Sequence, residues 1–400
     1  MTDNNDGSIV INYVVPFLFR SGTVIAGLVA VIAGILYVKQ DSLLYFPEIG
    51  GIPRRPRNNP RRYRSPQEYD LPFEEHFIRC SDGISIHAWW IRSNEAQNSN
   101  KVPTIIMFHG NAGNIGLRLP NAALMVQHLK CHVLMVEYRG YGDSDSVVPN
   151  EVGLKLDAEA ALRFVADSSS NNNQPIFLFG RSLGGAVAIH LAHYAESNNI
   201  PVAGVMVENT FLSISKMVDA ILPLVAPLKG FILRIGWDSE RVLPKTMVPV
   251  LFLAGDRDEL VPHYHMERLY ELSKSELSEL YVIENGTHND TWMKGGNLYW
   301  VRLLQFMVKV QEASQQTHSK GNFEMQQKPM DMNMDGSTSE FRHRRTSVDD
   351  RSSVRMGGDD ATQNSVTGAS SIPTMPNNLF GMAKEATFSG RGTDKDQKKE

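Results

Sequence analysis

The chain is 400 residues long with 42% hydrophobic and 21% charged residues, a globular balance sized for two or three domains of about 150 residues. A net charge of -4 excludes the basic face that nucleic-acid binding demands. Two cysteines, Cys80 and Cys131, exclude a disulfide framework and every four-cysteine zinc site.

Residues 21–38 (SGTVIAGLVAVIAGILYV) run without a charge between Arg20 and Lys39. That length suits a slightly short transmembrane helix, and the run is apolar on every face, unlike a core helix. The acidic start (Asp3, Asp6) and the lack of a small-x-small site argue against a removable signal peptide. Residues 9–19 are apolar too, but Asn12, Pro16 and Arg20 make them a poor span, better suited to the interface. Residues 1–40 therefore read as a membrane anchor. Residues 41–69 read as a basic, proline-rich linker, with Arg54, Arg55, Arg57, Arg61, Arg62 and Arg64 beside Pro53, Pro56 and Pro60. Extended backbone is expected there, able to rest on anionic headgroups. Only Arg20 precedes the span, so the positive-inside rule puts the bulk of the chain in the cytosol.

Residues 70–313 alternate strand and helix. Short apolar runs at 103–108, 133–136, 176–179, 202–207, 250–254 and 280–283 are each followed by a loop, and helical stretches separate them. Among the helices, 119–130 is one, and another begins at Asn150, which can cap it, with Glu151 favouring its positive end. Such runs predict an α/β fold with a mostly parallel central sheet buried on both faces. In such sheets function collects in loops at the carboxyl ends of the strands. Residues 211–245, rich in Leu, Val, Phe and Pro, replace one strand-helix unit with a short apolar cap. From Ser314 to Glu400 only nine residues are Leu, Ile, Val or Phe. A disordered tail is expected. Its Arg344-Arg345-Thr346-Ser347 has the form of a basophilic kinase site, or of a plain solvated charge run, and its Met325, Met330, Met332 and Met334 lack apolar neighbours.

The candidate catalytic residues lie in those loops. Gly180-Arg181-Ser182-Leu183-Gly184 has the form of a nucleophile elbow, and here it follows an apolar strand and opens an Ala-rich helix. Serine at its ordinary pKa is a poor nucleophile, so a base and an orienting acid are required. The loop after 250–254 offers Asp256, Asp258 and Glu259. Asp258 is the choice, since this loop has the G-x-x-D-x-x-V-P form that positions a triad acid. His288, after the last predicted strand, completes the chain order Ser, Asp, His. His190 and His193 fall two or more turns along the helix that Ser182 opens; His263 and His265 enter another helix, and His109 belongs to the oxyanion loop. The oxyanion hole needs two N–H donors. Leu183 and Asn111, in His109-Gly110-Asn111, are the candidates. Residues 109–114 lack the endings of a phosphate loop. Asp143 and Asp145 lack the glycine of a calcium loop, Val148 standing in its place.

Taken together, HGNAGNIGLRLPNA from His109, EYRGYGDSD from Glu137, GRSLGGAVA from Gly180, ENTFLSI from Glu208 and NGTHNDTW from Asn285 resemble the membrane-anchored α/β-hydrolase domain-containing protein 13 family. NGTHNDTW is much rarer than G-x-S-x-G and carries the resemblance, which spans roughly residues 37–310. The tail departs from the family pattern, as does Asp145 where relatives carry glycine. The resemblance implies an α/β-hydrolase fold, Ser182, Asp258 and His288 as nucleophile, acid and base, and a membrane-bound serine hydrolase without cofactor. It implies acyl-ester or thioester substrates, palmitoylated proteins among them. An endomembrane such as the endoplasmic reticulum, with a lumenal catalytic domain, is the family's usual setting. Asn285-Gly286-Thr287 and Asn289-Asp290-Thr291 would then be glycosylation acceptors, against the cytosolic side given by the charges. Two rival readings are a non-catalytic membrane scaffold and a small-peptide serine peptidase.

Overall fold

The computed structural model describes residues 12–13, 15–48, 50–94, 102–168 and 174–326. Its contacts divide the chain into Met1–His318 and Ser319–Glu400; of the second unit only the backbone of 319–326 is described. The segments at 330–334 and 344–347 fall outside.

A single helix, α1 (Val15–Leu44), contains the apolar run. It begins before the expected span because Pro16 falls in the first turn, where a missing N–H costs no hydrogen bond. Its most apolar eighteen-residue window has a mean hydropathy of 2.2 and none of it is buried.

Eight strands form one sheet: β1 (Phe73–Arg79), β2 (Ser85–Ile91), β3 (Thr104–Phe108), β4 (His132–Val136), β5 (Ile176–Arg181), β6 (Gly204–Glu208), β7 (Val250–Gly255) and β8 (Glu279–Ile283). Their order is β1-β2-β4-β3-β5-β6-β7-β8. β1 and β2 form an antiparallel hairpin, with Ile78 opposite Ile86, and β2 pairs antiparallel with β4. All other neighbours are parallel. Successive residues of the central strands enter opposite cores: Ile106, Phe108 and Leu178 on one face, Ile105, Met107, Phe177 and Phe179 on the other. Each such buried side chain contributes about 1.5–3 kcal/mol of transfer free energy, which is why these runs contain almost no polar residue.

The crossovers are α2 (Leu119–Leu129), α3 (Glu151–Ala166) and α4 (Leu183–Ser197). Asn150 caps α3, its side chain accepting the Gly153 N–H at 2.9 Å. Between β6 and β7 the cap contains only short helices: α5 (Ile214–Ile221), α6 (Lys229–Ile232) and α7 (Ser239–Val242). α8 (Tyr264–Leu272) joins β7 to β8, then α9 (Thr291–Lys294) and α10 (Gly296–Gln326) follow. α10 carries helix twelve residues past Ser314, through Gln326.

The basic stretch expected to run free is folded onto the domain. Arg54 donates to the carbonyls of Gly140 (3.1 Å) and Ser144 (3.0 Å) and to Ser146 Oγ (3.0 Å). Asn59 is buried and bonds Tyr63 O and Asn114 Oδ1, both at 2.8 Å. Carbonyls left open by the 137–147 turns give the guanidinium better partners than bulk water.

Candidate active site

β5 runs straight into Ser182, which holds φ at +52°. This sparsely populated backbone state costs on the order of 1–3 kcal/mol and survives only where neighbours enforce it. The flanking glycines allow the turn: a Cβ on Gly180 would collide with the backbone of Gly184, and one on Gly184 with the carbonyl of Phe108. The Ser182 N–H donates to Glu208 O at 2.9 Å. Its carbonyl accepts the Gly185 N–H at 2.9 Å and the Thr210 hydroxyl at 2.8 Å. Leu183 opens α4, so its N–H has no intrahelical partner and adds to the positive end of the helix.

Asp258 and His288 meet. His288 Nδ1 lies 2.8 Å from Asp258 Oδ2, with both side chains almost fully buried. The other carboxylate oxygen accepts the N–H groups of Leu260 (2.9 Å) and Val261 (2.8 Å). A carboxylate so held accepts a hydrogen bond from Nδ1–H, which leaves Nε2 with its lone pair. Glu259 is engaged elsewhere, accepting the His288 backbone N–H at 3.1 Å. Asp256 is exposed, and its own N–H donates to Ile283 O at 3.2 Å.

The other histidines have different surroundings. His109 is buried, its Nδ1 bonds Gly110 O at 2.9 Å, and burial followed by the Arg118 charge pushes its pKa down to about 3. His265 Nδ1 accepts the Leu212 N–H at 3.1 Å, and burial lowers its pKa to about 4. Burial does the same for His190, also to about 4.

The loop after β3 packs against the elbow: a Cβ on Gly110 would stand 3.1 Å from Arg181 O and 3.4 Å from Ser182 Cβ. Four residues hold that loop. Arg118 donates to Gly110 O and Ala112 O, Tyr138 to His109 O, and Tyr141 to Asn111 Oδ1 at 2.9 Å. The fourth is Phe46, whose N–H donates to Asn111 Oδ1 at 3.1 Å and whose carbonyl accepts from Gly113.

Sequence reasoning missed Asn209. It is buried at φ +48° just after β6. Its Oδ1 accepts the Gly255 N–H at 2.9 Å, while its Nδ2 donates to Thr287 O (3.1 Å), His288 O (3.2 Å) and Thr291 Oγ1 (2.8 Å). Its neighbours Glu208 and Thr210 hold Ser182, so one three-residue segment fixes the loops of all three candidates. Beneath it, Glu208 takes the Arg181 guanidinium at 2.6 Å and the Tyr299 hydroxyl, all buried. The one available signal was position: a polar cluster at the carboxyl end of a parallel strand.

Among the described residues no group of three His, Cys, Asp or Glu side chains forms a metal site. Asp145 accepts the Ser85 N–H at 2.8 Å, and Asp143 pairs with Arg55 at 3.3 Å. A surface cavity of about 420 Å³ lies away from the elbow, lined by Lys216, Lys229, Asp238, Glu240, Arg241 and Arg268 among others, and by none of the candidate catalytic residues.

A family profile described as "Serine aminopeptidase, S33" matches residues 99–237. The chain is 35% identical to the "Alpha/beta hydrolase domain-containing protein WAV2" of Arabidopsis thaliana, over 72% of this chain and 92% of that protein. It is 32% identical to "Protein bem46" of Schizosaccharomyces pombe, with the same two coverages. An uncharacterized membrane protein of Saccharomyces cerevisiae is 35% identical, over 61% of this chain and 83% of its own length. Among solved structures, the Pyrococcus furiosus esterase Pf2001 superposes with a TM-score of 0.50 at 19% identity, covering 65% of this chain and 97% of the esterase. That likeness shows the fold. The match to the plant protein, over 92% of that protein's length, shows the family, and the chain belongs to the α/β-hydrolase domain-containing proteins.

Proposed function

We propose that Ser182, Asp258 and His288 form the catalytic triad of a single-pass, membrane-anchored acyl hydrolase. The observation that carries this reading is the 2.8 Å bond between His288 Nδ1 and a carboxylate that is otherwise saturated by backbone N–H groups. It fixes the tautomer that can accept a proton at Nε2.

In this reading Ser182 Oγ attacks the acyl carbonyl as His288 Nε2 takes its proton. The carbonyl oxygen becomes an oxyanion facing the N–H groups of Leu183 and Asn111. The tetrahedral adduct collapses, the bond to the leaving group breaks, and His288 returns the proton to the departing thiol or alcohol. A water molecule, deprotonated by the same nitrogen, then attacks the acyl-enzyme; the bond to Ser182 Oγ breaks, His288 returns the proton to that oxygen, and the acid is released. No step calls for a cofactor.

The substrate class is an acyl-chain ester or thioester, with S-palmitoylated protein as the thioester case. An anchor at 1–40 and a catalytic domain at 70–313 place such chemistry beside the bilayer that holds long acyl chains. The basic residues after the span favour the cytosolic side, whereas the family resemblance favours the lumenal side, where Asn285-Gly286-Thr287 and Asn289-Asp290-Thr291 would be glycosylation acceptors. Labelling with a fluorophosphonate probe, then comparing a palmitoyl thioester, a matched oxygen ester and an aminoacyl arylamide, tests the reading. Ser182-dependent release from the thioester or ester is expected. Turnover of the arylamide alone would make the chain a peptidase, and absence of labelling would make it a scaffold.

A further inference from the structure

Between α5 and α6 the chain turns large apolar side chains outward. Leu224 is 93% exposed and Phe231 87%, with Ile221, Leu222 and Leu228 also exposed. Five large apolar side chains exposed within eleven residues mark a contact with something other than water. Its position identifies the partner. Phe231 immediately precedes the segment that clasps the end of α1: Gln40 donates to Ile232 O at 3.2 Å and its side-chain carbonyl accepts the N–H groups of Arg234 (2.9 Å) and Ile235 (3.1 Å). Arg234 also pairs with Asp41 and donates to Tyr37 O at 3.4 Å. α6 itself packs on α1. Val38, the last residue of the apolar run, stands two residues from Gln40, roughly 3 Å along the helix axis. The exposed cap therefore sits at the level where α1 passes from hydrocarbon to headgroups. Lys39 ends that run beside these apolar side chains, the mixture of cation and apolar side chain typical of interfacial segments, while Lys229, between Leu228 and Phe231, is paired with Asp219.

We infer that residues 221–231 are a second membrane contact, with Leu222, Leu224, Leu228 and Phe231 inserted at the acyl-headgroup boundary of the leaflet from which α1 emerges. The domain is then held at two points and cannot swivel on α1. This rests on α1 being a membrane anchor, and it uses no catalytic assignment.

The test uses the full chain in vesicles of phosphatidylcholine with a minority of phosphatidylserine. Leu224→Cys and Phe231→Cys are labelled with an environment-sensitive fluorophore; the natural Cys80 and Cys131 are buried. Leu28→Cys in α1 reports the anchor. Lys274→Cys, in the loop before β8, reports the end of the parallel strands opposite Ser182. Positions 224 and 231 should match position 28, with blue-shifted emission quenched by lipid-borne nitroxides and resistant to aqueous iodide, while position 274 shows the reverse. Behaviour like 274 while 28 stays in lipid would place the cap in water and overturn the proposal. Protection from both quenchers would mean that protein covers the cap and would overturn it equally. Iodide quenching at position 28 would remove the anchor and the proposal together.

Discussion

The side-chain carbonyl of Asn111 accepts the backbone N–H of Phe46 at 3.1 Å, so the chain just past α1 is bonded to the loop beside Ser182. The Asn111 amide nitrogen donates back to Leu44 O, and Tyr45 receives the Trp237 indole N–H at 2.9 Å. The end of α1 and the two residues after it are thus part of the framework of the candidate site. A chain beginning at residue 36 keeps all these contacts and should hydrolyse a short aryl ester in detergent as the full chain does. A chain beginning at residue 47 loses them, and kcat/KM should fall on the order of a hundredfold, the cost of a misplaced catalytic group. Equal activity in the two truncations would show the latch to be idle.

Asn209 bonds the carbonyl of His288 and the amide of Gly255, tying together the loops of the proposed base and acid. Asn209→Asp keeps the shape and the acceptor but cannot donate to three oxygens. Each buried group left unpaired costs about 1–3 kcal/mol. The variant should melt earlier, and kcat should fall more than KM rises, because His288 loses its position rather than the substrate its pocket. A variant that melts earlier yet keeps kcat would reduce Asn209 to a structural role.

Asp258 and Asp256 lie two residues apart with opposite environments, one buried on His288 and the other in water. Asp258→Asn should lower kcat about ten-thousandfold, as loss of the correct tautomer does in the serine-protease template. Asp256→Asn should leave it within about twofold, as a surface change remote from the chemistry. Ser182→Ala should abolish probe labelling and cost on the order of a millionfold. Equal losses in the two aspartate variants would leave the acid elsewhere.

Much of this was legible because both faces of a parallel sheet are covered. β3 to β8 appear as short apolar runs, and Ser182, Asp258 and His288 each follow one of them. The hairpin was not legible. β1 is exposed or half-buried except at Ile78 and carries Glu74, Glu75 and His76, so it shows no apolar run. Asn209 and Gln40 were hidden for another reason: their partners lie up to 195 residues away, and a lone amide side chain has no local signature of such a bond. The linker misled because prolines and arginines look alike whether solvated or, as at Arg54, folded onto carbonyls.

Acid should destabilise this fold in a defined window. His109, His190 and His265 have pKa values pushed down to about 3, about 4 and about 4, by burial first and then by the nearby charges of Arg118, Lys155 and Lys216. All three are neutral in the native state while the unfolded chain takes up protons near the ordinary value of about 6.5. Between those limits the unfolded state binds more protons, so stability is complete above about pH 6.5 and is lost as pH falls toward about 4. His109 alone, fully buried, contributes on the order of 3 kcal/mol of that loss. Its replacement by Asn supplies an amide that can still donate to Gly110 O but has no titrating group. His109→Asn should therefore flatten the decline of melting temperature with pH between about 6.5 and 4, relative to the natural chain. An unchanged slope would mean that His109 is reached by water, and would assign the acid sensitivity to the other two histidines.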